Sequence, residues 1–318
     1  MILSFAPMEG VTSAVYRRVH RRYFPEADRY YSPFIAPDGR GEFKSSRLRD
    51  LLGENNEGVP LIPQILAGGA EAFLGAARRL YDLGYEEVDL NLGCPSATVV
   101  SKHKGAGLLR DPDALNALLA DIFSRSPVAV SVKTRLGFSS PDEIEALMEI
   151  YDRYPIRELI VHARCREGFY HSPVDLDAFS RALSHAEMPV VYNGNVFTPG
   201  DQRVIVERFP GVSGVMLGRG AAADPALFRT IRGGKALELG ELREFHAALI
   251  DEFLSSGLTP YFTSARMKEL WFYLRALFPG EDKLFKSLVK ARDLGELVSR
   301  AGDLFAYGRF DPGQGFPG

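Results

Sequence analysis

Short runs rich in β-branched and aromatic residues alternate with amphipathic helical patterns along most of the chain. This alternation is typical of a parallel α/β fold, because parallel strands are joined by crossover helices. Eight such runs precede residue 220, at 2–7, 30–35, 60–66, 87–93, 128–134, 158–164, 189–195 and 214–219. Eight strand–helix units in about 235 residues predict a (β/α)8 TIM barrel. A doubly wound sheet is the alternative, but no G-x-G-x-x-G pattern follows the first run.

The β-type runs stop after "IRGGKALELG" (231–240), and only helical patterns follow. They predict a small C-terminal all-helical domain of three or four helices. We therefore divide the chain into a barrel domain (1–234), a helical domain (235–310) and a tail (311–318). The tail sequence, "DPGQGFPG", has the composition of a frayed terminus.

Composition excludes several classes of protein. With 46% hydrophobic and 25% charged residues, the 318-residue chain is that of a globular protein. Its two cysteines cannot form a disulfide framework or a structural zinc site, which favours a reducing, cytoplasmic setting. The start lacks a basic signal-peptide region, and no apolar run approaches the ~20 residues that span a bilayer. A net charge of −3 argues weakly against a protein coated with nucleic acid, although a local basic face is compatible with it.

Polar side chains recur at the carboxyl ends of the predicted strands, where parallel barrel strands are normally hydrophobic. In a TIM barrel these ends form the active-site face. Taken singly, most such residues are more typical of loop bracing, but the interior Lys133 and the nearby His162 indicate function. Together they predict one site. The set comprises Met8, Glu9, Gln64, Asp89, Asn91, Cys94, Lys133, Arg135, His162, Arg164, Arg166, Asn193, Asn195 and Arg219.

Glycine-containing turns follow the last two predicted strands, in "YNGNVFTPGD" and "MLGRGAAADP". Barrels commonly hold a phosphate at this position, against free backbone N–H groups. These turns predict a phosphate-bearing ligand without identifying it.

The assembled motifs resemble those of the tRNA-dihydrouridine synthases, flavin enzymes that reduce specific uridines of tRNA. The matching stretches run in order through the predicted barrel: "APMEGVTSAVYRR", "VDLNLGCPS", "KGAGLL", "VSVKTRLG", "VHARCREGFY", "NGNV" and "VMLGRGA". The helical tail is similar to the C-terminal domain of that family.

The resemblance implies an FMN cofactor, with NADPH as reductant, and assigns residues to it. Pro7, Met8 and Gln64 would line the flavin ring, with Lys133 near its N1 and C2 carbonyl. His162, Asn193, Asn195, Gly218 and Arg219 would hold the ribityl chain and phosphate. Asn91, Arg135 and Arg166 would face a uracil flipped out of the tRNA.

Cys94 is the predicted proton donor. Hydride transfer from flavin N5 to uracil C6 leaves negative charge on the base, so an acid must protonate C5. A thiol, with an ordinary pKa of ~8.5, is a competent acid at neutral pH. The following loop, 96–107, is longer than a usual βα connection, and we expect it to be mobile.

Four positions depart from the family pattern. Ser13 and Tyr16 stand where Asp and Phe are usual in the first motif. Asn195 stands where an acid usually follows "NG", and Cys165 stands where Thr or Ser is common. We expect Asn195 to alter one hydrogen bond without removing the site, and Cys165 to be a packing residue.

The resemblance also implies tRNA as partner, and the helical region carries cations that could follow its backbone. No metal is expected, and a monomer is expected. Trp271, Phe272 and Tyr273 are interleaved with the cations. The candidate tRNA contacts are Arg266, Lys268, Lys283, Lys286 and Lys290.

Two other functions fit part of the pattern. An FMN barrel acting on a small pyrimidine, such as a dihydroorotate dehydrogenase, would share the phosphate turns and the lysine but would not need the basic helical region. A flavin-free RNA-binding barrel could keep the fold alone.

Overall fold

The computed structural model describes residues 1–316 and contains one continuous sheet whose strand pairs are all parallel. The strands are β1 (Ile2–Phe5), β2 (Arg29–Tyr31), β3 (Leu61–Ile62), β4 (Gln64–Ile65), β5 (Glu87–Asn91), β6 (Ala129–Gly137), β7 (Leu159–Cys165), β8 (Val190–Asn193) and β9 (Gly214–Leu217). Their order around the sheet is β3-β2-β1-β9-β8-β7-β6-β5-β4.

The two ends of this sheet meet because β3 and β4 are halves of one strand, interrupted at Pro63. Proline has no N–H to donate to a neighbouring strand. Its carbonyl still accepts a hydrogen bond from Asp89 N at 2.9 Å. β3 pairs with β2 and β4 pairs with β5, which closes the barrel. The predicted eight-stranded TIM barrel is thus confirmed, with its third strand split.

Helices cover the outside of the barrel and form the C-terminal region. They are α1 (Ala14–Tyr23), α2 (Ser45–Leu51), α3 (Ala70–Asp82), α4 (Ala97–Val100), α5 (Pro112–Arg125), α6 (Glu143–Tyr151), α7 (Leu176–His185), α8 (Pro199–Arg208), α9 (Arg219–Ala223), α10 (Leu227–Ile231), α11 (Leu239–Ser255), α12 (Pro260–Leu274), α13 (Asp282–Val289) and α14 (Leu294–Tyr307). The predicted domain boundary at residue 234 lies between α10 and α11.

A small layer of apolar side chains from six strands or strand ends is separate from the main core between strands and helices. It consists of Ala6, Tyr31, Ile62, Ile160, Val191 and Met216. This layer fills the barrel interior, so the open space lies above it, at the carboxyl ends of the strands.

The C-terminal helices pack directly on the barrel. Phe245 of α11 meets Tyr16 of α1 edge to face, with ring centroids 6.0 Å apart. Trp271 of α12 is fully buried and donates a hydrogen bond from Nε1 to His246 Nε2 at 3.1 Å. None of the helices in residues 1–316 combines the length and apolar character that crossing a bilayer requires.

The prediction that the C-terminal tail is frayed is wrong at Phe316. Phe316 is only 5% exposed, and its ring lies 6.0 Å from the Phe197 ring and 5.6 Å from the Tyr273 ring. An aromatic side chain in a Gly- and Pro-rich segment provides the apolar contact that holds the segment down. Residues 317 and 318 of the tail lie outside the described residues.

Candidate active site

A cavity of about 470 Å³ opens at the carboxyl ends of the strands. Most of the residues predicted for a site meet there. The lining includes Pro7, Met8, Gln64, Asn91, Cys94, Lys133, Arg135, His162, Asn193, Gly218 and Arg219. Asn195 and Arg166 are adjacent to the cavity without lining it, and the five predicted cations of the helical region also lie outside the lining.

Lys133 projects from β6 and is held by a neighbouring strand. Its Nζ donates to Asn193 Oδ1 at 2.9 Å, and Asn193 Nδ2 donates to the Met216 carbonyl at 2.9 Å. Burial lowers the pKa of Lys133, and the nearby Arg135 lowers it further, whereas Asp89 raises it. Asn193 therefore fixes Lys133 as a donor inside the cavity.

Cys94 lies at the edge of the cavity, in a turn that follows β5. Asn91 Oδ1 accepts hydrogen bonds from the backbone N–H groups of Gly93 (3.1 Å) and Cys94 (2.9 Å). Burial raises the pKa of the Cys94 thiol, although a bond from Ser96 N–H and the charges of Arg135 and Lys133 lower it. The thiol therefore keeps its proton at neutral pH.

The loop after Cys94 is partly folded, and its expected mobility stays a prediction. It contains α4 and a 3-10 helix, Gly105–Arg110, in which residues 105–109 are buried. Gly105 has φ +55°, and a Cβ there would lie 2.9 Å from the Cys94 carbonyl oxygen. Ala106 N donates to the same oxygen at 3.1 Å. The glycines thus let this loop pack against the Cys94 backbone.

Both arginines that were predicted to face the uracil, Arg135 and Arg166, donate hydrogen bonds to backbone carbonyl groups around the cavity. Arg135 Nε donates to Gly93 O at 2.8 Å, and Nη1 donates to Cys165 O at 3.1 Å. Arg166 Nε donates to Pro95 O at 3.2 Å. Both arginines thus fix the turn that contains Cys94. Within residues 1–316, no protein group accepts a hydrogen bond from Nη2 of Arg135, so this nitrogen can donate to a ligand.

A group of cationic side chains surrounds the ends of β7 to β9 without a carboxylate. Asn195 Oδ1 accepts from Arg164 Nη2 at 3.0 Å and from Arg219 Nη2 at 2.9 Å. His162 Nε2 accepts from Arg164 Nη1 at 3.1 Å, and burial lowers the pKa of His162 well below its usual value. Within residues 1–316, none of the four cations Lys133, Arg135, Arg164 and Arg219 forms an ion pair with a carboxylate. This group of cations therefore lacks a negatively charged partner, which a bound anion would supply.

Cys165, at the end of β7, faces away from the cavity. It packs against the apolar core, and burial raises the pKa of its thiol to about 11. It is not among the cavity residues.

An aromatic wall completes the cavity and was not predicted as part of the site. Tyr170 and Arg219 are in contact there, with the guanidinium carbon 4.7 Å from the ring centroid. Phe272 and Tyr273 were associated only with RNA binding, and nothing in the sequence pattern of the tail pointed to Phe316. The wall consists of Tyr170, Phe197, Phe272, Tyr273 and Phe316.

The predicted tRNA-contacting cations have different surroundings. Lys283, Lys286 and Lys290 are exposed on or directly after α13. Lys268 instead donates to the Ala291 carbonyl, and Arg266 donates to Gly10 O at 3.1 Å while it pairs with a glutamate of its own helix. Trp271, interleaved with them in the sequence, belongs to the core. The part of the chain that the structure describes has no cluster of three or more His, Cys, Asp or Glu side chains that could hold a metal ion.

The fold and the cavity together define an enzyme of the TIM-barrel class, with its site at the carboxyl ends of the strands. The particular family follows from the sequence: the chain belongs to the family described as Dihydrouridine synthase (Dus), whose profile matches residues 4–283. The resemblance inferred from the motifs is thereby confirmed.

Relatives agree with this family assignment, and a solved structure shares the fold. The chain is 30% identical to "tRNA-dihydrouridine synthase B" of Pseudomonas aeruginosa over 255 residues, which is 78% of this chain and 75% of that protein. It is 36% identical to "tRNA-dihydrouridine(16) synthase" of Cupriavidus necator over 245 residues, 73% of each protein. Morphinone reductase shares the fold with a TM-score of 0.51 at 11% identity, over 74% of this chain and 87% of that one.

Proposed function

We propose that this protein reduces a specific uridine of tRNA to 5,6-dihydrouridine, with FMN as cofactor and NADPH as reductant. The names of the relatives support the tRNA substrate. The observation that carries the proposal is the position of the Cys94 thiol at the edge of a cavity lined by Lys133, Arg135 and Arg219, and burial raises the pKa of that thiol.

The residues present fit FMN. A phosphate monoester supplies the anion that the group around Arg164, Arg219 and Asn195 lacks. In this proposal Gly218, His162 and Asn193 would complete the phosphate and ribityl site, and Pro7, Met8, Gln64 and Lys133 would line the ring. When bound, FMN supplies the hydride for C6 of the uracil.

The chain's own residues would handle the proton and orient the base. Cys94 gives its proton to uracil C5 on the side opposite the hydride, and its raised pKa keeps that proton available. Asn91 and the free Nη2 of Arg135 donate hydrogen bonds to the base. A contact between Arg166 and the base stays a prediction, because Arg166 holds the Pro95 carbonyl from outside the cavity lining.

A uridine must leave its stack to reach this cavity, since the cavity lies at the mouth of a barrel. Extrusion costs least for a base in an unpaired loop, so we propose a loop uridine, such as one in the D-loop. The exposed lysines of α13 provide charge for the tRNA backbone, and Phe272 at the cavity wall provides a surface for a neighbouring base.

The proposal is tested in cells that lack the gene. Mass spectrometry of their tRNA should show one dihydrouridine position replaced by uridine, and a plasmid copy of the gene should restore it. A plasmid with Cys94→Ala is the matched control and should fail to restore it. Unchanged dihydrouridine at every position of the tRNA would reject the proposed substrate.

A further inference from the structure

A chain of side-chain hydrogen bonds starts below the cavity and ends at the turn that carries Cys94. Asp89 on β5 is fully buried and accepts a bond from Gln64 Nε2 at 2.7 Å. Gln64 Oε1 accepts from Asn91 Nδ2 at 2.7 Å. Asn91 Oδ1 accepts from the backbone N–H groups of Gly93 and Cys94. Two side chains, those of Gln64 and Asn91, thus connect the buried carboxylate of Asp89 to the backbone of the proposed proton donor.

The direction of this chain is determined by its backbone end. Backbone N–H groups only donate hydrogen bonds, so Asn91 must present its oxygen to the turn and its NH2 group to Gln64. Gln64 must then present its oxygen to Asn91 and its NH2 group to the carboxyl of Asp89, which accepts. Burial raises the pKa of Asp89 to about 7, whereas the bond from Gln64 and the charge of Lys133 lower it. If either amide were rotated by 180°, two donors or two acceptors would face each other, which buried polar groups avoid.

The orientation also determines what the cavity offers a ligand. Each amide NH2 group uses one of its two hydrogens inside the chain. Gln64 and Asn91 both line the cavity, so the second hydrogen of each remains for a ligand oxygen. A uracil or flavin carbonyl can accept such a bond, whereas an amino group in the same place would meet a second donor.

We propose that Asp89 is a positioning residue that orients Gln64 and Asn91 and thereby holds the backbone of Cys94 in place. Asp89 does not line the cavity itself, so it contacts a ligand only through these partners, and its charge also raises the pKa of Lys133. The role in catalysis rests on the function proposed above, but the hydrogen-bond chain belongs to the protein alone and can be tested without tRNA.

Hydrogen exchange of the Cys94 backbone amide tests the proposal. Asp89→Leu keeps the branched shape and the number of side-chain heavy atoms but removes the acceptor. We expect the Cys94 and Gly93 amides to exchange about tenfold faster, the effect of losing one net hydrogen bond. The amide of Leu92, which donates to the Lys133 backbone carbonyl, is the internal reference and should change little. The full-length chain is measured with and without added FMN, by mass spectrometry that resolves single amides.

A double variant moves the acceptor by one position. In Asp89→Asn/Gln64→Glu, the carboxylate at 64 accepts from the amide at 89 and from Asn91, so Asn91 keeps its orientation and Cys94 should regain its protection. Ser131→Ala removes the other bond to Asp89, from Ser131 Oγ at 3.2 Å, and should leave Cys94 protected.

Unchanged Cys94 exchange in folded Asp89→Leu overturns the proposal. If that variant does not fold, the double variant decides alone: rapid Cys94 exchange beside a protected Leu92 overturns the proposal, and protection of both supports it. If exchange follows the expected pattern while no uridine is reduced, the proposed function fails and the positioning role stands.

Discussion

At the residue scale, the reactivity of Cys94 depends on the balance between burial and charge. Lys133 and Arg135 favour a thiolate, but desolvation has the larger effect and the pKa is raised. This balance suits an acid and not a nucleophile, because a nucleophilic cysteine needs a lowered pKa. Cys165 has a raised pKa as well but no access to the cavity.

Replacing Cys94 with alanine should separate proton transfer from cofactor binding. We expect Cys94→Ala to bind FMN as the wild type does and to keep NADPH oxidation. It should lose uridine reduction by about 10²–10⁴-fold, the range for a missing general acid. Cys165→Ser is the matched control and should keep full activity. Nucleoside mass spectrometry measures the product, and a normal rate in Cys94→Ala would remove the thiol from the mechanism.

The sequence predicted the polar lining better than the surrounding wall. Gln64, Lys133 and His162 could be identified because a polar residue at the end of a buried strand is conspicuous in a hydrophobic run. Phe316 could not, because its place depends on how the chain returns after α14. Lys268 was predicted as a tRNA contact from its charge alone, which gives no sign that it donates to the Ala291 carbonyl.

At the element scale, α13 is the clearest candidate for tRNA contact. Replacing Lys283, Lys286 and Lys290 with alanine should weaken tRNA binding and reduce the slope of log K against log salt by about 2, since each phosphate contact contributes about 0.7 to 0.9. Filter binding at several salt concentrations measures the slope. Alanine at Arg153 and Arg157, exposed before β7 at the opposite end of the barrel, should leave the slope unchanged. Equal slopes in the wild type and the lysine variant would exclude α13 from the interface.

The packing of α11 on α12 should make stability sensitive to acid. Burial lowers the pKa of His246 to about 4, and the Trp271 N–H requires its Nε2 to be unprotonated. The unfolded chain binds the proton near pH 6.5, so this contribution is complete above pH 6.5 and is lost as the pH falls towards 4.

Urea unfolding of His246→Phe tests this sensitivity. The variant should be less stable at pH 7.5, because the Trp271 N–H loses its acceptor. Its further loss of unfolding free energy between pH 7.5 and 4.5 should be smaller than that of the wild type by about 2–3 kcal/mol. Equal losses in both proteins would show that His246 is not buried in neutral form.

Helix and strand patterns predicted the elements but not their internal breaks. Helix α5 begins with an Asp–Pro pair, a typical helix start, and the Asp111 side chain accepts from Ala114 N at 3.0 Å. The third strand was predicted as one run, although Pro63 divides it. The length of the loop after Cys94 did not reveal its buried 3-10 helix, Gly105–Arg110, which Gly105 and Gly107 allow to pack closely.

At the scale of the whole molecule, FMN should stabilise the fold. The proposed site joins residues from β1, β4, β6, β7, β8 and β9, so binding favours the closed barrel over any unfolded chain. At 100 times its Kd, FMN should add about 2.7 kcal/mol to the free energy of unfolding. Riboflavin at the same concentration lacks the phosphate and should add less.

Arg219→Gln should reduce the difference between FMN and riboflavin, because it removes a charged partner of the phosphate. Arg208→Gln, on the exposed side of α8, is the matched control and should preserve the difference. Thermal unfolding with each ligand measures both effects. If FMN and riboflavin stabilised the wild type equally, the phosphate of FMN would not contact the proposed site.

The barrel as a whole could be predicted because its signal is repeated eight times, and one irregular strand does not hide the pattern. The route of the C-terminal chain over the cavity could not, because it depends on contacts between distant aromatic residues such as Phe197 and Phe316. Phe316, which is far in sequence from the strands, thus completes a cavity at the carboxyl ends of the strands.

The most direct measurement compares substrates in one assay. Purified protein, FMN and NADPH are incubated with unmodified tRNA, or with free uridine and orotate at the same concentration of pyrimidine, and the reduced base is quantified by mass spectrometry. We predict dihydrouridine at one tRNA position and little reduction of either free pyrimidine. Reduction of the free pyrimidine with none in tRNA would contradict the proposed function and identify a small-molecule oxidoreductase.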